Sequence, residues 1–310
     1  MSEPAPTTRA GWLLPARSPK LPIMKSFHLS IAVTVLAAGA LGVLAATEPS
    51  KGSLEGWTSL TLGAEKAMIF SATATMTVEK AAYKKTGKPA ILFKTHSKVR
   101  LLGATGFEEE TTSWIDTEGR RALEFFQFRP SDSARRYLFM DGFIRQTNWE
   151  PPEDNPGIEF DKWRETETND RRFTYADGTT LKTGESPTDS YSLLYLLRDL
   201  DLASQTTAPR EFTTIYRRHL MRIRIVPGEH RRNQREVVNE ATGNTEKLNL
   251  LERRVKVKPI GEGASSYKGL AGMQGETEIW VDERSGALVE IDGDAPGFGN
   301  TEIVLKSFRR

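Results

Sequence analysis

The residues best suited to chemistry are thinly spread. The four histidines, His28, His96, His219 and His230, are scattered, and no two stand at metal-ligand spacing on one element. They read as exposed or strand-face histidines. The chain has no Cys. That excludes thiolate catalysis, Cys-ligated zinc, iron–sulfur clusters, disulfides and a lipid-modified N-terminal cysteine. There is no nucleophile elbow, no phosphate-cradling Gly-Lys-Ser/Thr and no dinucleotide fingerprint. Gly261-Glu262-Gly263 lacks the third glycine. Acidic residues are plentiful, but a glycosidase pair needs two carboxyls about 5–10 Å apart in a cleft, and linear spacing does not show that distance. An envelope hydrolase is therefore the least favoured of three readings. No catalytic residue, metal ligand or cofactor site is assigned.

Cationic strand faces carry more. Lys94, Lys98 and Arg100 line one face, Arg222 and Arg224 a second, and Arg254, Lys256 and Lys258 a third. Arg217, Arg218, Arg231, Arg232 and Arg235 thicken the charge nearby. Like charges on adjacent strands repel unless something neutralises them. Glu276, Glu278 and Asp282 supply acids from a neighbouring strand, which gives one reading: a solvated cross-strand ladder. Arg222, Arg224, Arg254, Lys256 and Lys258 outnumber those acids. That gives the other reading, a surface for an anionic envelope partner such as lipid headgroups or acidic polysaccharide. Trp280 shares the parity of Glu276 and Glu278 and is the candidate stacking platform, or it covers a sheet edge. These five cations and Trp280 form the candidate binding site. Bulk charge gives no case for nucleic acid, because Lys+Arg 43 against Asp+Glu 41 leaves only +2.

The elements that must hold these residues are mostly strands. Apolar Met68, Phe70, Ala72, Ala74, Met76 and Val78 alternate with Ser and Thr, the period of a half-buried strand. Further strands are expected at Phe107–Asp116, Ala122–Phe128, Leu220–Val226, Glu276–Asp282, Ala287–Ile291 and Asn300–Phe308. Asp141-Gly142 and Asp177-Gly178 are hairpin turn signals. Ser186-Pro187-Thr188-Asp189 reads as a helix start, with Ser186 as N-cap and Pro187 at the first position. One main helix over about Pro187–Leu202 follows, with Leu193, Leu194, Leu197 and Leu200 at helical spacing. The expected fold is mostly β: an antiparallel curved sheet, half-barrel or barrel, with that helix near its middle.

Residues 24–45 read as a signal peptide, with Lys25 before the apolar run Leu29–Ala46 and Val43-Leu44-Ala45 as a small-x-small cleavage pattern. Pro-rich residues 1–23 read as a disordered leader or a mis-assigned start, and residues 46–310 as one mostly β domain. The mature protein is expected to be periplasmic or otherwise exported, soluble, without an integral membrane domain, and not a lipoprotein.

Three features in order carry a resemblance. They are Asp-Ser-Tyr-Ser-Leu-Leu-Tyr-Leu-Leu-Arg at Asp189–Arg198, the strand Glu278-Ile279-Trp280-Val281-Asp282 before a Gly turn, and Gly299-Asn300-Thr301-Glu302-Ile303-Val304-Leu305. Together they resemble the bacterial exported family catalogued as domain of unknown function 3108. Ala287-Leu288-Val289 stands where that family usually has Pro. The resemblance implies an exported half-barrel like those of envelope lipoprotein carriers, a curved sheet wrapped around a helix. It implies no activity. The leading expectation is a non-enzymatic envelope protein that binds or carries a lipid-like or anionic ligand. The alternative is a structural or interaction protein with a solid core and no ligand.

Overall fold

A computed structural model describes residues 53–310 apart from 67–69, 119–120, 176, 182–184, 198–207, 217–218, 269–271 and 296–298. The expected leader and signal peptide lie outside the described residues.

Alternation builds the sheet. Phe70, Ala72, Ala74 and Met76 are buried, while the Ser and Thr residues between them are more exposed. One face of the segment therefore belongs to the core and the other to solvent. The first half of the chain repeats this as β1 (Ser59–Lys66), β2 (Phe70–Ala82), β3 (Pro89–Leu101), β4 (Ala104–Asp116), β5 (Ala122–Arg129), β6 (Ser133–Met140), β7 (Phe143–Glu150) and β8 (Arg164–Arg171). The helix α1 (Ser190–Leu197) follows. The second half adds β9 (Arg210–Tyr216), β10 (His219–Asn239), β11 (Asn244–Ile260), β12 (Gln274–Asp282), β13 (Leu288–Ala295) and β14 (Gly299–Arg309).

All 14 strands form one sheet, in the order β8-β7-β6-β5-β4-β3-β2-β1-β14-β13-β12-β11-β10-β9. Strands consecutive in sequence pair antiparallel, except β8 and β9, and the last pairs antiparallel with the first. The two sheet edges are thus β8 and β9, consecutive strands whose connection carries α1. Thr188, just ahead of the helix, pairs with the free side of β9: its N–H donates to Thr213 O and it accepts from Ile215 N–H. An exposed edge is a template for unwanted pairing. This segment covers part of that of β9, while β8 is blunted by its charged, largely exposed sequence.

The core is a single buried cluster. Leu193, Leu194 and Leu197 of α1 join Phe125 and Tyr137 from the first half and Ile223, Val255, Ile279 and Ile291 from the second. Among the described residues the curved antiparallel sheet with one α-helix is the expected architecture.

The longest hairpin changes faces along its length. Near the edge, odd-numbered Val255 and Val257 of β11 are buried and even-numbered Lys256 and Lys258 are not. Beyond Arg253 the pattern inverts, and Leu248, Leu250 and Glu252 are the buried residues. The inversion lies opposite a register shift between Pro227 and His230 in β10. Gly228 sits in that shift, where a Cβ would approach Arg254 atoms to 3.1–3.3 Å. The far half of the hairpin then reaches β14 and pairs parallel with it at Val238–Ser307 and Asn239–Phe308. This closes a circuit of five strands, β10 to β14, whose lining is the even face of β11.

Two expectations need correction. The helix begins at Ser190, not Pro187, and its cap is Asp189, whose Oδ1 accepts from the Tyr191 and Ser192 N–H groups. Ser186 is exposed, and Thr188 is committed to β9. Leu200 and Leu202 lie outside the described residues. Asp177-Gly178 does turn, with Gly178 at φ +80°, but the flanks meet in a single Thr174–Thr180 bridge rather than a hairpin ladder. Residues 230–253, to which no expected strand is assigned, form most of the far half of the β10–β11 hairpin.

Candidate functional site

The expected cationic site is present as a face, and four of its five cations meet acids. Antiparallel register sets Lys256 opposite Glu278 and Arg224 opposite Glu211. Lys256 Nζ lies 2.7 Å from Glu278 and 3.6 Å from Glu276, and Lys258 Nζ lies 3.5 Å from Glu276. Arg254 is 3.4 Å from Glu278 and 3.5 Å from Glu229. Arg224 is 2.6 Å from Glu211. Arg222 places its guanidinium carbon 4.5 Å from the centre of the Tyr175 ring. Glu211 and Glu229 are the acids that the cation count missed. The side-chain bond from Lys256 is the main reason that the Glu278 carboxyl is held below its ordinary value. On this face the ladder reading holds.

Trp280 is not an exposed platform. It is 7% exposed, and the Arg231 guanidinium carbon lies 3.6 Å from the centre of its ring. The even face carries ladder residues near the edge, but it lines the five-strand circuit farther in. Local alternation cannot show that a curling sheet has covered the same face. Around Trp280 lies a closed ionic network. Glu252 is fully buried and accepts from Arg231 (2.6 Å) and Arg235 (2.5 Å), and both arginines also reach Glu290 at 2.6 Å. Burial works to raise the Glu252 pKa, but Arg235 and Arg231 outweigh it and hold the carboxyl below its usual range.

A second polar network ties α1 to the sheet. Alternation on β4 turns Glu109, Thr111 and Ser113 inward, and all three are buried. Tyr191 OH donates to Glu109 Oε1 at 2.7 Å, and Gln127 Nε2 and Arg129 Nε donate to Oε2, each at 2.7 Å. Asp189 accepts from the Ser113 hydroxyl at 3.0 Å and from the Ser192 hydroxyl at 2.6 Å. Burial pushes the Asp189 carboxyl above its ordinary value despite these donors. Both carboxylates are sealed and fully engaged, so what they do is position the helix.

The open cationic site lies elsewhere. A groove of about 530 Å³ runs along the outward face of the far β10–β11 hairpin. Register sets Arg232 opposite Leu251 and Gln234 opposite Asn249 on that face, and Arg284 joins them from the turn between β12 and β13. Arg232 and Arg284 are exposed, and among the described residues neither makes a salt bridge. None of the residues lining the groove is acidic. The turn that carries Arg284 is pinned. Glu283 N–H donates to Leu251 O at 2.8 Å. Ser285 donates to Asp282 Oδ2 through its N–H at 3.0 Å and its hydroxyl at 2.5 Å. The Glu283 carboxylate meets His230, which in turn meets Arg253.

The remaining expectations can be placed. Lys98 and His96 share Glu108, at 3.0 and 2.8 Å. Among the described residues no group of three or more His, Cys, Asp or Glu is gathered to hold a metal ion, and no helix is long and apolar enough to cross a membrane.

Comparison with known proteins assigns no family or role. No family model matches the chain, and no curated protein sequence does. One similar solved structure is a β-barrel-like protein of domain of unknown function DUF1849 from Brucella abortus. It is 12% identical over 81% of this chain and 95% of that one, with a TM-score of 0.44. Another is a porin-like protein from Bacteroides uniformis, 10% identical over 81% of this chain and 96% of that one, with a TM-score of 0.26.

Proposed function

We propose that the protein is a non-catalytic component of the cell envelope that binds an anionic envelope ligand in the groove between Arg232 and Arg284. One observation carries this reading. All five ladder cations have partners, whereas these two guanidinium groups line an open, acid-free groove. A guanidinium is a rigid fork matched to carboxylate and phosphate oxygens, and a fixed turn lowers the ordering cost of using it. The export reading of residues 24–45 and the resemblance to an exported family support the location. The ligand site is external, because Leu193, Leu194 and Leu197 are packed into the core.

The test is co-sedimentation of the purified protein with phosphatidylglycerol vesicles and, separately, binding to polygalacturonate. At least one should bind at low salt and weaken as ionic strength rises to where the Debye length is about 8 Å. Arg232→Glu with Arg284→Glu should abolish that binding while the thermal transition stays intact. Wild-type protein that binds neither anion at low salt would end the reading and leave a structural protein without a ligand.

A further inference from the structure

The chemistry beside the two arginines narrows the ligand class. Gln234 Nε2 donates to Asn249 Oδ1 at 3.1 Å across the two strands. That bond orients both amides and leaves Gln234 Oε1 free to accept and Asn249 Nδ2 free to donate. Both residues are exposed in the groove. The site therefore offers two cationic forks, a fixed neutral acceptor and a fixed neutral donor. A lipid headgroup needs only the charges, with an apolar path beside them for its chains. Of the two leucines that line the groove Leu250 is buried, which leaves half-buried Leu251, flanked by exposed Arg232, Gln234 and Asn249. Sugars that carry carboxylates need both kinds of group, because their hydroxyls donate and accept while their acids pair with guanidinium. The groove is open along a strand ribbon, and its volume falls within the range of about 300–1,000 Å³ for small-molecule sites.

We infer that the groove formed by Arg232, Gln234, Asn249, Leu251 and Arg284 is a site for an acidic oligosaccharide, recognised through carboxylates by the arginines and through hydroxyls by the paired amides. This rests on the anion-binding reading above and adds the class of ligand.

Calorimetric titration with short oligogalacturonate, neutral dextran oligomers and phosphatidylglycerol vesicles tests it. Oligogalacturonate should bind saturably, and dextran should not. Arg232→Gln with Arg284→Gln should weaken oligogalacturonate at least tenfold. Asn249→Ala, which leaves the charge unchanged, should weaken it severalfold. Arg224→Gln, in the paired ladder, serves as a control and should match wild type. An unchanged thermal midpoint in each variant separates lost contacts from lost structure. Binding to vesicles but not to oligogalacturonate would overturn the saccharide inference and leave the anion reading standing. Binding to both with no effect of Asn249→Ala would also overturn it, since charge alone would then suffice. Binding to neither would overturn both.

Discussion

Ser113 on β4 donates its hydroxyl to the Asp189 carboxylate at 3.0 Å, a bond that joins residues 76 apart in sequence. Through it the cap of the only α-helix among the described residues is anchored to the inner face of the sheet. Asp189→Ala should cost about 2–4 kcal/mol, combining a lost cap with buried donors left unpaired. The pH dependence has a definite sign. Burial raises the Asp189 pKa, so its contribution to stability is fully present below the unfolded pKa and is lost as pH rises through the folded one. Wild type should therefore gain on Asp189→Asn as pH falls from 7 toward 4, read from urea midpoints. A variant that gains on wild type over that range would contradict the assignment.

Glu252 gives the opposite sign. Its pKa is held down by Arg235 and Arg231, so its contribution is present above the ordinary carboxylate value and is lost as pH falls through the folded one. Glu252→Gln should cost about 3 kcal/mol at neutral pH, because it leaves two arginines short of a buried partner. The deficit should shrink in acid. Chemical denaturation at pH 7 and pH 3 measures both quantities.

The leucines of α1 test whether the helix belongs to the core. Leu194 and Leu197 are 0% and 1% exposed, and replacing either with Ala should cost about 2–5 kcal/mol. Losses below about 1 kcal/mol at both sites would mean that the cavity collapses freely and that the helix is peripheral.

Leu102 is a local conflict that can be relieved. It sits in the tight turn between β3 and β4 at φ +50°, and it is 81% exposed. A left-handed conformation costs most side chains about 1–2 kcal/mol, whereas Asn tolerates it. Leu102→Asn should raise stability by about 1 kcal/mol, seen as a higher denaturation midpoint. A lower midpoint would mean that Leu102 makes contacts which outweigh its strain.

Strands with one apolar face were legible in the sequence, and so was the helix. Residues 70–78 and 300–305 alternate, and each lies within a strand. The Leu193–Leu194–Leu197 spacing marks the segment that packs inside. Two features were not legible, for physical reasons. Residues 230–253 carry mostly polar and charged side chains, and ion pairs and a two-residue contact with β14, which no local pattern encodes, accompany the burial of Val237, Leu248 and Leu250. The helix start was misread because Ser186-Pro187 is an ordinary opening signal, yet β9 claims Thr188 as an edge partner and pushes the cap to Asp189. For the site, alternation placed Arg222, Arg224, Arg254, Lys256 and Lys258 on strands but could not show the acids Glu211 and Glu229 beside them. It placed Trp280 on a face that the curling sheet covers. Arg232 was noted only as extra charge, and Arg284 had no sequence signal beyond its place in a Gly-containing turn.

The central claim is that an anion is held by Arg232 and Arg284 and not by the paired ladder. Nuclear magnetic resonance shift mapping on adding oligogalacturonate, or phosphatidylglycerol nanodiscs in a second arm, tests it most directly. The account predicts changes at Arg232–Gln234, Asn249–Leu251 and the turn around Arg284, with Arg222–Val226 and Arg254–Lys258 unmoved. Changes confined to Arg222, Arg224, Arg254, Lys256 and Lys258, with the groove silent, would contradict it.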